Sequence, residues 1–196
     1  MNIDTEHLHH WMQAIRKSSN PHRTLDAFWR GQISSKEWLV EELSNHIAEH
    51  VDIEIHGGWV GVLASLLFQS NIPVNSIRSI DLDPTCESIA NEMNMLEKIE
   101  NRFLAITDDM CSRKSNADVI INTSCEHLTQ SQFDDWLENI DSRLLVLQSN
   151  NYKINEHIRI ANSLNEFIEQ SNIKVKWSGT KELPLYNRWM IIGTKI

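Results

Sequence analysis

Along the first fifty residues apolar positions recur at helical spacing, and after Val51 the period changes. Residues 5 to 18 and 34 to 50 read as amphipathic helices. The second carries Trp38, Leu39, Leu43 and Ile47 on one face and opens on Ser34 with Glu37 three residues later, a capping-box signature. PHRTLDAFWRGQ between them reads as a connector with room for one helical turn. Beyond it short apolar runs alternate with longer amphipathic ones. VDIEI, SIRSID, RFLAIT, DVIIN, RLLVLQ, IKVKWSG and RWMIIGT read as strands. VGVLASLLF, CESIANEMNML after the Asp83-Pro84 start signal, SQFDDWLENI and EHIRIANSLNEFIEQS read as helices.

Strands that alternate with helices predict a parallel sheet with helices on both faces, because parallel neighbours need crossover connections. The expected class is α/β, a three-layer α/β/α sandwich on a seven-stranded, mostly parallel sheet. The ending differs: about nine residues, TKELPLYNR, separate the last two strands. That is too short for a crossover helix, so the last strand should run antiparallel to the one before it. The expected organisation is one compact domain, with residues 1–50 as a helical extension or lid and 51–196 as the sheet domain.

Charge narrows the partners. Eighteen basic against twenty-seven acidic residues give a formal charge of -9, which repels nucleic acid and anionic membranes. The N-terminus MNIDTEHLHHW lacks the basic-then-apolar pattern of a secretory signal, and no apolar run approaches a membrane span. A cytoplasmic protein is expected. Cys86, Cys111 and Cys125 are widely spaced and form no CxxC pair.

Two histidine groups invite a metal reading. HIAEH, His46 to His50, matches the HxxEH pattern in which two histidines one helical turn apart hold zinc. It ends a helix directly before a strand, and no further glutamate ligand can be placed on a later helix. Of His7, His9 and His10, only His7 and His10 can share a helix face. No metal is expected from either. Trp11, Phe28, Trp29 and Trp38 concentrate aromatic bulk in the N-terminal helices, where core packing is the default explanation.

The residues able to do chemistry gather where strands end. IEIHGGWVG follows the first strand, SIDLDP ends the second, ITDDM the third, NTSCEHLT the fourth and LQSNNY the fifth. With the reversed last strand, this set resembles the class I S-adenosylmethionine-dependent methyltransferases, over roughly Val51 to Ile196. In that family the first strand ends in a glycine-rich turn of the type hh(D/E)xGxGxG. Gly57 and Gly61 fall on its outer glycines, while Trp59 replaces the middle one and Ile55 the usual acid. Gly58, one residue earlier, is then expected to supply the close backbone approach.

The resemblance implies S-adenosylmethionine as cofactor and assigns residues to it. Asp81, 24 residues after Gly57, would accept hydrogen bonds from both ribose hydroxyls, and Leu82 would lie beside the adenine. Asp109, followed by Met110, would accept from the adenine amino group. Asn122 and the loop after it would face the methyl group and the acceptor, with Glu126 or His127 as base. Asn150, Asn151 and Tyr152 either orient a polar substrate or form a turn. The implied function is methyl transfer to a small molecule. The alternative is a non-catalytic protein of the same fold that binds a partner through its aromatic N-terminal helices. A complete GxGxxG is missing, which argues against a nicotinamide-dependent oxidoreductase. The acceptor and the oligomeric state are not legible.

Overall fold

A computed structural model describes residues 4–196; the first three residues of the expected extension lie outside it. The chain divides after Asp108 into two compact units, the second being Asp109–Ile196.

The first unit opens with three helices, α1 (Thr5–Lys17), α2 (Pro21–Asp26) and α3 (Arg30–Ser44). Asp4 caps α1 by accepting from the Glu6 N–H, and Asn20 caps α2 by accepting from the Arg23 N–H. The segment expected to be a connector is therefore mostly helical, and α3 begins at Arg30, four residues before the expected cap. Its N-cap, Trp29, makes no side-chain capping bond. The helix also ends early, at Ser44, so residues 45–50 form a turn. His46 and His50 are thus not one helical turn apart, and the zinc-helix geometry is absent.

Strands β1 (Val51–His56), β2 (Val74–Asp81) and β3 (Phe103–Thr107) follow, with α4 (Val62–Phe68), α5 (Pro84–Met93) and α6 (Met95–Ile99) between them. They pair in parallel in the order β3-β2-β1. The expected helix over CESIANEMNML breaks at Asn94, whose side chain donates to the Gly61 and Ala90 carbonyls, at 3.1 and 3.0 Å. The N-terminal helices are built into this unit. Helix α1 packs on α5, Trp11 is buried with its Nε1 donating to Ser65 Oγ of α4 at 2.9 Å, and Lys17 pairs with Glu92.

The second unit contains β4 (Val119–Asn122), a 3-10 turn at Cys125–His127, α7 (Gln130–Glu138), β5 (Leu144–Asn150), α8 (Leu164–Ser171), β6 (Ile173–Glu182) and β7 (Asn187–Lys195). Its strand order is β4-β5-β7-β6, with β4 and β5 parallel and β7 antiparallel to both its neighbours. The short connection therefore acts as expected. Every residue of β4 and β5 is buried, as their continuous apolar runs require of strands covered on both faces. Phe133, Trp136, Phe167, Leu145 and Ile191 centre the core of this unit.

The fold class is thus α/β, with seven strands, mostly parallel and interleaved with helices. One helix expected in the second unit is only half present: α8 starts at Leu164, capped by Ser163, whose Oγ accepts from the Glu166 N–H. Residues 153–163 instead follow a strap with long-range partners. The Ile158 and Arg159 N–H groups donate to the Glu126 carbonyl at 2.9 and 3.0 Å, and the Ala161 N–H donates to the Asn150 carbonyl. Arg159 stacks its guanidinium 4.0 Å over the Phe133 ring. These tertiary bonds override the local helical period.

Candidate functional site

In the first unit the site is built where β1 and β2 end. The turn after β1 holds three positive φ angles, Gly57 at 67°, Trp59 at 49° and Gly61 at 83°. Gly58 is glycine for a packing reason, since a Cβ there would lie 1.9 Å from Ser79 Oγ on β2. Its missing side chain admits the neighbouring strand. Trp59, half-buried, takes the left-handed conformation that a glycine would normally occupy.

That conformation points the Trp59 N–H at Asp81. It donates to Asp81 Oδ2 at 2.7 Å, while the Asp83 N–H donates to Oδ1 at 3.0 Å. Asp81 thereby ties the glycine turn to the tip of β2, and each of its oxygens keeps a further lone pair for a hydroxyl donor. Leu82 beside it is 72% exposed, an apolar side chain open to solvent. Asp83 caps α5 instead. The Thr85 hydroxyl and N–H, followed by Arg23 at 2.7 Å, hold its carboxyl below the usual carboxylate range.

In the second unit Asp109 is exposed and accepts from the Cys111 N–H at 2.9 Å. Met110 is half-buried with its sulfur 3.8 Å from the Asn122 amide nitrogen. Asn122, fully buried at the end of β4, uses its Oδ1 to accept from the Ser124 N–H, shaping the loop that carries Glu126 and His127.

Glu126 is 3% exposed. Its Oε1 accepts from Arg188 Nη1 of β7 at 2.7 Å and from the Asn150 amide of β5. Arg188 spends its other nitrogens on the Thr123 carbonyl and Gln148. Glu126 Oε2 is buried and has no hydrogen-bond partner. His127 is exposed, with Nδ1 3.0 Å from the Glu156 carbonyl. His157, on the strap, places Nδ1 2.8 Å from the Tyr152 carbonyl. The two imidazoles meet edge to face with centroids 4.8 Å apart, and Tyr152 and Tyr186 extend the same aromatic group. Burial pushes the Tyr186 hydroxyl up from its usual range.

The cysteines are chemically quiet. Burial pushes the Cys125 thiol up to about 12 and the Cys86 and Cys111 thiols up to about 11, so none is a thiolate nucleophile at neutral pH.

No protein-family profile matches the chain, and no curated protein matches it. Solved structures do. Magnesium protoporphyrin IX methyltransferase from Synechocystis PCC 6803, with bound SAH, superposes with a TM-score of 0.68 at 12% identity, covering 98% of this chain and 95% of that one. N-methyltransferase NodS from Bradyrhizobium japonicum WM9 gives a TM-score of 0.64 at 12% identity, with coverages of 85% and 98%. The [4+2]-cyclase SpnF gives 0.65 at 10% identity, with coverages of 85% and 83%. The fold is that of the class I S-adenosylmethionine-dependent methyltransferases.

Within this methyltransferase fold, each unit gathers its own share of the expected residues. Gly57, Gly58, Gly61, Asp81 and Leu82 lie at the ends of β1 and β2, while Asp109 and Met110 follow β3, Asn122 ends β4, and Glu126 and His127 follow it. Arg188, Tyr186 and His157 were not among the expected residues. Arg188 had a signal, a charged residue at the start of an otherwise apolar strand. His157 had none, because its segment carries a helical period that the structure does not follow.

Proposed function

We propose that this protein is an S-adenosylmethionine-dependent methyltransferase acting on a small molecule. The observation that carries the reading is Asp81. A carboxylate at the tip of β2, oriented by two backbone N–H groups and retaining a free lone pair on each oxygen, fits the two adjacent hydroxyls of a ribose. The glycine turn beside it and the exposed Leu82 fit the remainder of an adenosine-containing ligand. Among the structural relatives, the Synechocystis enzyme has been crystallised with SAH and with SAM.

Bound there, the cofactor supplies a sulfonium methyl group for in-line displacement. What the chain contributes is alignment, exclusion of water and, for an acceptor that carries a proton, a base. Within the first unit, Gly57, Gly58, Gly61, Asp81 and Leu82 would hold the cofactor. Glu126 is pinned by Arg188 and Asn150, which suits it to orient an acceptor. His127 is exposed, and a carbonyl on Nδ1 leaves the Nε2 lone pair of the neutral ring free to take a proton.

A second reading is favoured by Trp29, which is 64% exposed at the start of α3: the protein keeps the fold and uses its N-terminal helices to bind a partner. Thermal unfolding with SAH separates the two. The methyltransferase reading expects a rise of several degrees at 1,000 times the dissociation constant, equivalent to about 4 kcal/mol. No shift at millimolar SAH or S-adenosylmethionine would favour the partner-binding protein.

A further inference from the structure

Glu126, His127 and His157 each offer a possible ligand atom, all within 4.8 Å of one another, and we propose that they form a binding site for one divalent transition-metal ion of the zinc or cobalt class. The tautomers are set by the neighbours. Backbone carbonyls only accept, so the neutral rings carry their protons on Nδ1, donated to Glu156 O by His127 and to Tyr152 O by His157. Both Nε2 atoms then present lone pairs. A backbone carbonyl on the far nitrogen is also how proteins orient metal-binding imidazoles.

The third acceptor is an independent sign. Glu126 is 3% exposed, and its Oε2 has no hydrogen-bond donor. A buried carboxylate oxygen left without a partner is costly. Arg188 and Asn150 both act on Oε1, fixing the carboxylate plane while leaving Oε2 open. Three acceptors with no donor among them are best satisfied by a cation. Two imidazoles and one carboxylate suit a borderline ion, and three protein ligands leave a position for water or substrate.

Donors around zinc sit about 2.0–2.2 Å from the metal, so neighbouring donors are about 3–3.5 Å apart. The widest separation would contract by about 1.5 Å on binding, most simply by movement of the exposed His127 and of His157 on the strap. The sequence concealed the site because its histidines stand thirty positions apart and neither follows a ligand spacing. Ion binding does not depend on methyl transfer. Its consequence does rest on that reading: a bound ion would use the His127 lone pair for ligation and would itself lower the pKa of an acceptor hydroxyl or of its own water.

Metal binding to the full chain, stripped with EDTA, tests this without cofactor or acceptor. The chain carries nine histidines, so variants must locate the ion. Titration with Co2+ at pH 7.5 is expected to give visible d–d bands saturating at one ion per chain, displaced by Zn2+ and not by millimolar Mg2+. His157→Ala and His127→Ala, with unchanged circular dichroism, should each weaken binding at least tenfold, while His7→Ala and His46→Ala leave it intact. Absence of stoichiometric binding, or binding that survives both His127→Ala and His157→Ala, overturns the proposal. Either result leaves the SAH-binding test untouched, and failure of SAH binding leaves this one standing.

Discussion

Trp59 combines a glycine's backbone geometry with a tryptophan's side chain. Left-handed φ costs a residue with a Cβ about 1–2 kcal/mol, and a hydrogen bond to a charged acceptor contributes about 1.5–3 kcal/mol. The Trp59 N–H bond to Asp81 is therefore large enough to hold the turn in this conformation. If the backbone is what matters, Trp59→Gly keeps the N–H and relieves the strain. SAH affinity measured by calorimetry should then stay within about threefold of wild type. A loss of tenfold or more would mean that the indole itself contacts the ligand. The three glycines of this turn are legible in the sequence, but the role of Trp59 is not. Local propensity argues against a left-handed tryptophan, and only the Asp81 carboxylate 22 positions away explains it.

At the scale of elements, β7 and the strap shape the candidate residues of the second unit. Arg188 leaves an apolar strand to meet Glu126, and both side chains are nearly buried, at 10% and 4% exposed. Removing one partner of a buried pair strands the other charge, at a cost of about 3–5 kcal/mol. Arg188→Ala should therefore destabilise the protein by about that amount in urea unfolding, far more than an exposed arginine such as Arg143→Ala, for which about 0–1 kcal/mol is expected. Equal effects would show that the pair contributes little. The reversed β7 could be read from a connection too short for a crossover. The strap could not, because EHIRIANSL has helical periodicity, and its actual partners, the Glu126 and Asn150 carbonyls, lie on other elements. The same holds for α3. Its early start at Arg30 defeats a capping box that looked complete in sequence.

At the scale of the molecule, the alternation of apolar runs after Val51 was enough to give the α/β class, because strand and helix periods are set by local geometry. The candidate site was legible where its residues sit on strand ends, as Asp81 and Asn122 do. It was hidden where side chains are brought in by tertiary paths, as with Arg188, Tyr186 and His157. Asp81 also tests the functional reading most directly. Its two oxygens, already oriented by Trp59 and Asp83, are the atoms that a ribose would engage. Isothermal titration with SAH should show binding to the wild-type chain and at least tenfold weaker binding to Asp81→Ala, as expected for losing hydrogen bonds to a charged acceptor at about 1.5–3 kcal/mol each. Circular dichroism on the variant confirms that it is folded. Equal affinity of the two folded proteins, or no binding by the wild type, would contradict the account.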